Sequence, residues 1–511
     1  MMQHLVLAPI LIPLLTGAIL LLAERRHDVR VLRMGAWLGL SALLVAAVAL
    51  LDRANGGAVN VYLVGDWPAR LGIALVTDRL GAMLVLTTTL LAIPCLLHAA
   101  AGWDKRALHF HSLFQLQLAG LNGAFLTGDL FNLFVFFEVL LIASYGLLLS
   151  GARGPRIKAG LHYVVFNIAA STLFLIALAF LYGSLGTLNM AEMALRISQA
   201  GPEKTTMLRA AGGLLLVVFC AKAALLPLYT WLPETYSRAP AMVAALFSIM
   251  TKVGLYAVLR VGTLLFGNEA GELQGLAWKW LLPAGILTVA LAALGVVGAT
   301  RLRVGIAYLV LLSAGTLFIA FSLNEPGTIA AGLYYLPHSA FVTAALFLLA
   351  ELILRVRGAT GEHLLNPGPI SDRNLLGSLY LVAAISAAGL PPLSGFIGKL
   401  ALLSSVPAEW IPWAWTAILA SSLLVIVGLS RIGTRLFWRI TPHPVDAAPL
   451  PPPRREELAA VLLLLGYGIA MTVVAQPLLE FTRATADQLL SAGDYLDAVE
   501  ATRPLLRKPS P

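Results

Sequence analysis

A chain of 511 residues with 12% charged and 59% hydrophobic side chains, and a mean hydropathy of +0.85, lies far from the roughly 25% charge of a soluble domain. The composition excludes a soluble enzyme and points to an all-α polytopic membrane protein, because backbone in lipid must satisfy its own hydrogen bonds. The formal charge of +9 is no nucleic-acid signature in such a chain, and Cys95 and Cys220, both in apolar segments, are too few for a thiolate metal cluster or a disulfide framework.

Apolar stretches near the bilayer-spanning length of about 20 residues fall at 4–23, 33–51, 79–101, 109–127, 129–150, 160–184, 208–231, 240–264, 277–299, 302–324, 328–350, 376–405, 413–439 and 457–479. The first, in MMQHLVLAPILIPLLTGAILLLAERR, lacks the basic leading segment of a signal peptide and reads as a membrane helix. About fourteen transmembrane helices follow. Lysine and arginine in the connections set the orientation. Alternate loops carry ERRHDVRVLR, WDKR, GARGPRIK, YSRAP, TRLR, LRVRG…SDR and SRIGTRLFWR…PPPRREE, with 20 of the 35 basic residues. That side is expected to be cytoplasmic, with both termini on the external face of the membrane.

Residues 132–150, NLFVFFEVLLIASYGLLLS, place a carboxylate, Glu138, in the middle of an apolar run. Such a group costs several kcal/mol, about 2.5–3.5 on insertion scales, and marks a functional site with a partner. Eight lysines stand against 27 arginines, yet three lysines lie deep in spans: Lys222 in VVFCAKAALLPLY, Lys252 in LFSIMTKVGLYAV and Lys399 in LSGFIGKLALLSS. Lysine, unlike arginine, gives up its proton when desolvated. The pattern therefore predicts groups that release and regain a proton.

Span seven reads AKAALLPLYTWLPETYSRAP and span twelve ISAAGLPPLSGFIGKLALL. Pro227 in the first, and Pro391 with Pro392 in the second, break the helical ladder. The breaks look alike, Pro227-Leu228-x-x-Trp231 against Pro392-Leu393-x-x-Phe396, and lie five spans apart, so the two segments run in opposite directions. This predicts two inverted five-helix repeats, spans 4–8 and 9–13, with a transport path near the midplane. The expected organisation is an N-terminal three-helix segment (1–101), a first repeat (109–264), a second repeat (277–439), and a Pro-rich cytoplasmic loop with span fourteen and an external tail (440–511). The first repeat holds Glu138, Lys222 and Lys252. The second holds His338, in GLYYLPHSAFVTAALFLL, and Lys399.

Four segments carry a family resemblance: GDLFNLFVFFEVLLIASYGLL (128–148), AKAALLPLYTWLPETYSRAPAMVAALFSIMTKVGLYAVLR (221–260), LPHSAFVTAALFL (336–348) and GLPPLSGFIGKL (389–400). The chain resembles the antiporter-like subunits shared by respiratory complex I and the multisubunit Mrp (Pha) cation/proton antiporters, and within them the D subunit. The resemblance implies a paired switch at Glu138 and Lys222, a relay through Lys252 and His338, and a path ending at Lys399. Some complex I relatives have a glutamate at that last position, which leaves the exit route open. It also implies a hetero-oligomer of about six or seven kinds of subunit, exchanging internal Na+ or K+ for external protons. The alternative is a proton-pumping membrane subunit of an NADH–quinone oxidoreductase or membrane-bound hydrogenase. A third reading is an assembly scaffold without transport, against which the buried lysines argue.

The sequence has no P-loop, dinucleotide fingerprint, cysteine cluster or nucleophile elbow, so no cofactor and no metal is expected, and the protein reads as a secondary transporter subunit rather than an enzyme. Glu351 and Arg355 are expected to pair at i,i+4, His109 and His111 to lie at the cytoplasmic surface, and Trp278, Trp280, Trp410, Trp413 and Trp415 to anchor span ends.

Overall fold

The computed structural model describes residues 3–26, 28–107, 109–151, 154–441 and 452–502. Arg153 of the GARGPRIK loop, most of the Pro-rich loop and the last basic residues of the tail (Arg503, Arg507 and Lys508) lie outside the described residues.

Among the described residues the chain is a succession of helices with one small hairpin. Helices α1 (Ala8–Ala23) and α2 (Val29–Asn55) precede strands β1 (Asn60–Leu63) and β2 (Ala74–Thr77), which pair antiparallel with Asn60 opposite Thr77. Then come α3 (Arg79–Ala100), α4 (Phe110–Leu126), α5 (Leu130–Leu149), α6 (Pro155–Leu185), the short α7 (Met190–Ser198), α8 (Pro202–Lys222), α9 (Trp231–Arg238), α10 (Ala241–Phe247) and α11 (Met250–Leu265). The chain continues through α12 (Trp278–Gly298), α13 (Leu302–Ser322), α14 (Pro326–Val356), α15 (Arg373–Ala388), α16 (Ser394–Ser404) and α17 (Ile411–Gly433). It closes with α18 (Arg455–Val473), α19 (Ala475–Leu490) and α20 (Gly493–Ala501).

Among the described residues, eleven segments are long and apolar enough to cross a membrane: α2, α3, α5, α6, α8, the α10–α11 pair, α12, α13, α14, α17 and α18. Three shorter apolar helices, α1, α15 and α16, accompany them, and α4 is a 17-residue helix buried almost all round. A helix apolar on every side is either enclosed or lipid-facing, and both kinds occur. Every residue of α11 is buried, as is nearly all of α13 and α14, so these form the centre. Helices α2, α6 and α17 present rows such as Leu161, Val165 and Ile168, all more than half exposed, to the surroundings.

The ends are set by local chemistry. Asp28, Asp78 and Asp129 accept backbone N–H bonds at the starts of α2, α3 and α5, and Asn189 does so for α7, meeting donors that the first helical turn leaves free. Proline opens α6, α8 and α14, where its missing N–H is no loss. Ion pairs then tie ends together: Arg33 to Asp104 at 2.6 Å and Arg260 to Asp78 at 2.6 Å. The expected Glu351–Arg355 pair is replaced by tertiary partners. Arg355 binds Glu457 of α18 in a two-armed contact, and Glu351 faces Arg303 at 3.7 Å. A facing carboxylate brings two guanidinium nitrogens into register, which an i+4 neighbour does less well. His109 is exposed and meets Glu24, whereas His111 is buried beside Asp104 at 3.1 Å.

Candidate functional site

The helical ladder stops twice where prolines interrupt apolar runs: between Lys222 and Trp231, and between Ala388 and Ser394. The two breaks use the same turn. Leu225 N donates to Cys220 O at 2.9 Å with Ala224 at φ +60°, and Leu390 N donates to Ile385 O at 3.1 Å with Gly389 at φ +78°. This six-to-one bond with a left-handed residue inside is how many helices close. Here the chain then continues into a second helical segment, and carbonyls at the break need partners. At the first break Trp231 Nε1 donates to Ala221 O at 3.1 Å, and at the second Lys399 Nζ donates to Ala388 O at 2.8 Å.

Lys222, the last residue of α8, is almost wholly buried and reaches across to α6. Its ammonium donates to Ser171 Oγ at 3.1 Å, Asn167 Oδ1 at 3.3 Å and Asn167 O at 3.4 Å, and sits 5.8 Å from the Phe137 ring. Three donors thus meet three neutral oxygens. Glu138, on α5 and half-buried, accepts a short hydrogen bond from Ser171 Oγ. The direct Glu138–Lys222 charge pair expected from the sequence is absent among the described residues, because the Ser171 hydroxyl stands between the two groups.

Lys252 on α11 is fully buried and donates to Ser313 Oγ of α13 at 2.8 Å. Two residues on, Gly254 lets the broken end of α8 press against α11. A Cβ there would lie 2.6 Å from Ala223 N and 2.9 Å from the Lys222 carbonyl carbon. His338 on α14 places Nδ1 2.9 Å from Ser394 Oγ, and its ring packs 5.5 Å from Tyr335. Gly395 brings His338 Nε2 and Ser386 O together, since a Cβ there would lie 2.7 and 2.3 Å from them. A cavity of about 10 Å³ beside His338 and Ser386 has room for roughly one water. Lys399 on α16 donates to Ser422 Oγ of α17 at 2.8 Å as well as to Ala388 O. Gly389 is required here twice over, by its positive φ and by the Lys399 stem, whose Cδ would be 2.7 Å from a Cβ.

The structure therefore brings Glu138 and Lys222 into one cluster and sets His338 and Lys399 against the same frayed end of α15. Lys252 bonds to Ser313 and belongs to neither cluster. Among the described residues no hydrogen bond joins one cluster to the next. Each of Lys222, Lys252, His338 and Lys399 meets one serine hydroxyl from another helix: Ser171, Ser313, Ser394 and Ser422. Sequence reasoning missed all four, together with Asn167, because a serine in an apolar helix carries no signal of what it faces. Pro227 and the Pro391–Pro392 pair both lie inside the non-helical turns, each break containing a cis X–Pro bond.

The family described as NADH:quinone oxidoreductase/Mrp antiporter, transmembrane region, matches residues 127–425. The D subunit of a probable K(+)/H(+) antiporter from Rhizobium meliloti is 39% identical, covering 96% of each chain. The D subunit of a Na(+)/H(+) antiporter from Alkalihalophilus pseudofirmus is 35% identical over 98% of this chain and 99% of its own. Among solved structures, a chain of the Mrp complex of a Dietzia species superposes with a TM-score of 0.85 at 29% identity, covering 97% of this chain and 99% of that one.

Proposed function

Because this chain belongs to the NADH:quinone oxidoreductase/Mrp antiporter transmembrane family, we propose that it is the proton-translocating D-type subunit of a multisubunit Na+ or K+/H+ antiporter. It works beside the other subunits of that complex in a bacterial inner membrane. The observation that carries the reading is the Glu138–Ser171–Lys222 cluster: a carboxylate and an ammonium held one hydroxyl apart inside a membrane protein. Separated by Ser171, the charges attract less than in contact. When they close, the ion pair holds both groups charged. When they part, the ammonium loses its nearby countercharge and its proton moves toward Lys252, His338 and Lys399. Such an electrostatic switch needs two arrangements of comparable energy, and a neutral cradle of Asn167 and Ser171 oxygens supplies the second. The protein is a transporter subunit rather than an enzyme, and the gradient of one ion drives the other.

The fold proposed for this activity has fourteen transmembrane helices. The three short apolar helices and α4 supply what length alone does not: α1 and α4 each cross once, and α15 with α16 cross as one broken helix. Spans 4–8 (109–264) and 9–13 (277–439) form the inverted repeats, with residues 1–101 before them and 440–511 after. The shared turn at Ala224 and Gly389 supports the repeat. The arginine-rich loops face the cytoplasm and both termini face outward. A topology reporter fused after residue 60 is expected to read external, and a cytoplasmic signal there overturns the orientation.

The activity is tested by cation-induced proton efflux in everted vesicles that express the full set of subunits and lack other antiporters. Glu138→Gln and Lys222→Ala are each expected to abolish antiport while the complex assembles in normal amount. Full transport by either assembled variant sinks the switch.

A further inference from the structure

Of the four serines that meet Lys222, Lys252, His338 or Lys399, three touch one buried ionisable group only. Ser313 Oγ spends its own hydrogen on the Val310 carbonyl at 2.7 Å, and Ser394 and Ser422 face His338 and Lys399 respectively. Ser171 alone among these four lies between two. It accepts from Lys222 Nζ at 3.1 Å and donates to Glu138 Oε1, and it is buried on α6 between α5 and α8. A hydroxyl is both donor and acceptor, so this geometry is a complete proton wire of one residue.

We propose that Ser171 is the proton relay through which Glu138 and Lys222 discharge each other, an inference that rests on the antiport reading above. In one concerted step the Lys222 Nζ–H bond breaks and its proton passes to Ser171 Oγ, while the Ser171 O–H bond breaks and that proton passes to Glu138 Oε1. Lys222 becomes a neutral amine, Glu138 a carboxylic acid, and the Ser171 hydroxyl is regenerated with its hydrogen now on the lysine side. No electron is transferred and no atom is left over. Concert matters physically, because a serine alkoxide or a doubly protonated hydroxyl in a low-dielectric site would be far more costly than either end state. Both charges vanish together, so the cluster passes from a separated ion pair to a neutral pair without the side chains having to meet. Run in reverse, the same step returns the proton to Lys222, and only that recharged ammonium passes a proton on toward Lys252. Asn167 accepts the ammonium's other two hydrogens and gives its own amide hydrogen to the Tyr163 carbonyl, so it orients Lys222 and carries no proton.

The test compares Ser171→Thr with Ser171→Val in the assembled complex. The two side chains have nearly the same shape and differ in the hydroxyl. Antiport in everted vesicles is expected to survive in Ser171→Thr and to fall by about a hundredfold in Ser171→Val, within the roughly 10²–10⁴ that a proton-transfer group contributes. Ser171→Gly, which opens space for a water to take the hydroxyl's place, is expected to recover part of the rate. Equal activity in the Thr and Val variants overturns the relay. Loss in Ser171→Thr as great as in Ser171→Val assigns the site to shape and overturns it too. Measured alongside, Glu138→Gln and Lys222→Ala separate the two claims. If they are inactive and Ser171→Val is active, only the relay fails. If they remain active, the switch itself fails.

Discussion

At the first helix break Lys222 is the last residue before the turn and reaches sideways to Asn167 and Ser171 on α6. At the second, Lys399 comes after the turn and reaches back to the Ala388 carbonyl that the break exposes. Aligning Pro227 with Pro392 puts Lys222 opposite Ala387 and Lys399 opposite Glu234. The two lysines are therefore not counterparts, although the turns that hold them are. Trp231 does at the first break, through its indole N–H, what Lys399 does at the second. The first break thus leaves its lysine to the Ser171 hydroxyl and the Asn167 oxygens, and the second uses its lysine to satisfy the helix end. One backbone device carries two different charge arrangements, because the turn constrains main-chain bonds and leaves side-chain placement to the neighbouring helices.

The largest effect expected from this contrast is on transport. Lys252→Arg and Lys399→Arg preserve charge and much of the length. If these groups only bond to Ser313, Ser422 and Ala388, arginine serves nearly as well. If they pass protons, arginine fails, since releasing its proton at pH 7 is roughly 7 kcal/mol uphill. Large losses of antiport with normal membrane abundance are expected in both. Near-normal activity confined to Lys399→Arg would show that the second break is held by a fixed charge and would deepen the asymmetry.

Next come two substitutions of opposite sign at the matched left-handed positions. Gly389→Ala adds a Cβ against Lys399 and a positive-φ penalty, and is expected to lower stability by about 2 kcal/mol. Ala224→Gly relieves the same backbone strain at the first break and is expected to raise stability by up to about 1 kcal/mol. Thermal unfolding midpoints of the detergent-solubilised complex distinguish them, and shifts of the same sign would break the equivalence of the turns.

The smallest expected effect lies outside both breaks. Asp104 is buried, which favours its neutral acid, but the hydrogen bonds from Arg33 and His111 outweigh burial and hold its carboxyl down at about 2. A depressed carboxylate stabilises the fold above its ordinary value near 4, and that contribution is lost as pH falls through about 2. With Arg33 partly exposed, the contribution is about 1–2 kcal/mol. Asp104→Asn is expected to destabilise the complex by that amount at pH 7 and progressively less toward pH 3. A pH-independent difference would show that the cluster acts by shape alone.

Much of this was legible in the chain itself. Apolar runs interrupted by lone charges identify membrane helices and their exceptional residues, since hydrocarbon tolerates few polar groups. Prolines inside such runs locate the breaks, since proline has no N–H to give. These are properties of single residues in a known solvent, so Glu138, Lys222, Lys252, His338 and Lys399 could be singled out without a partner in view. Length-based reading of spans is weaker where helices are short or broken, as α1, α4, α15 and α16 illustrate. What only the tertiary structure decided is who faces whom. Ser171 between Glu138 and Lys222, Glu457 in place of Glu351 as the partner of Arg355, and Lys399 turned back on Ala388 all depend on contacts between distant segments. A side chain's nature is written in the sequence, but its hydrogen-bond partner depends on how helices rotate and approach, which many weak packing contacts settle together.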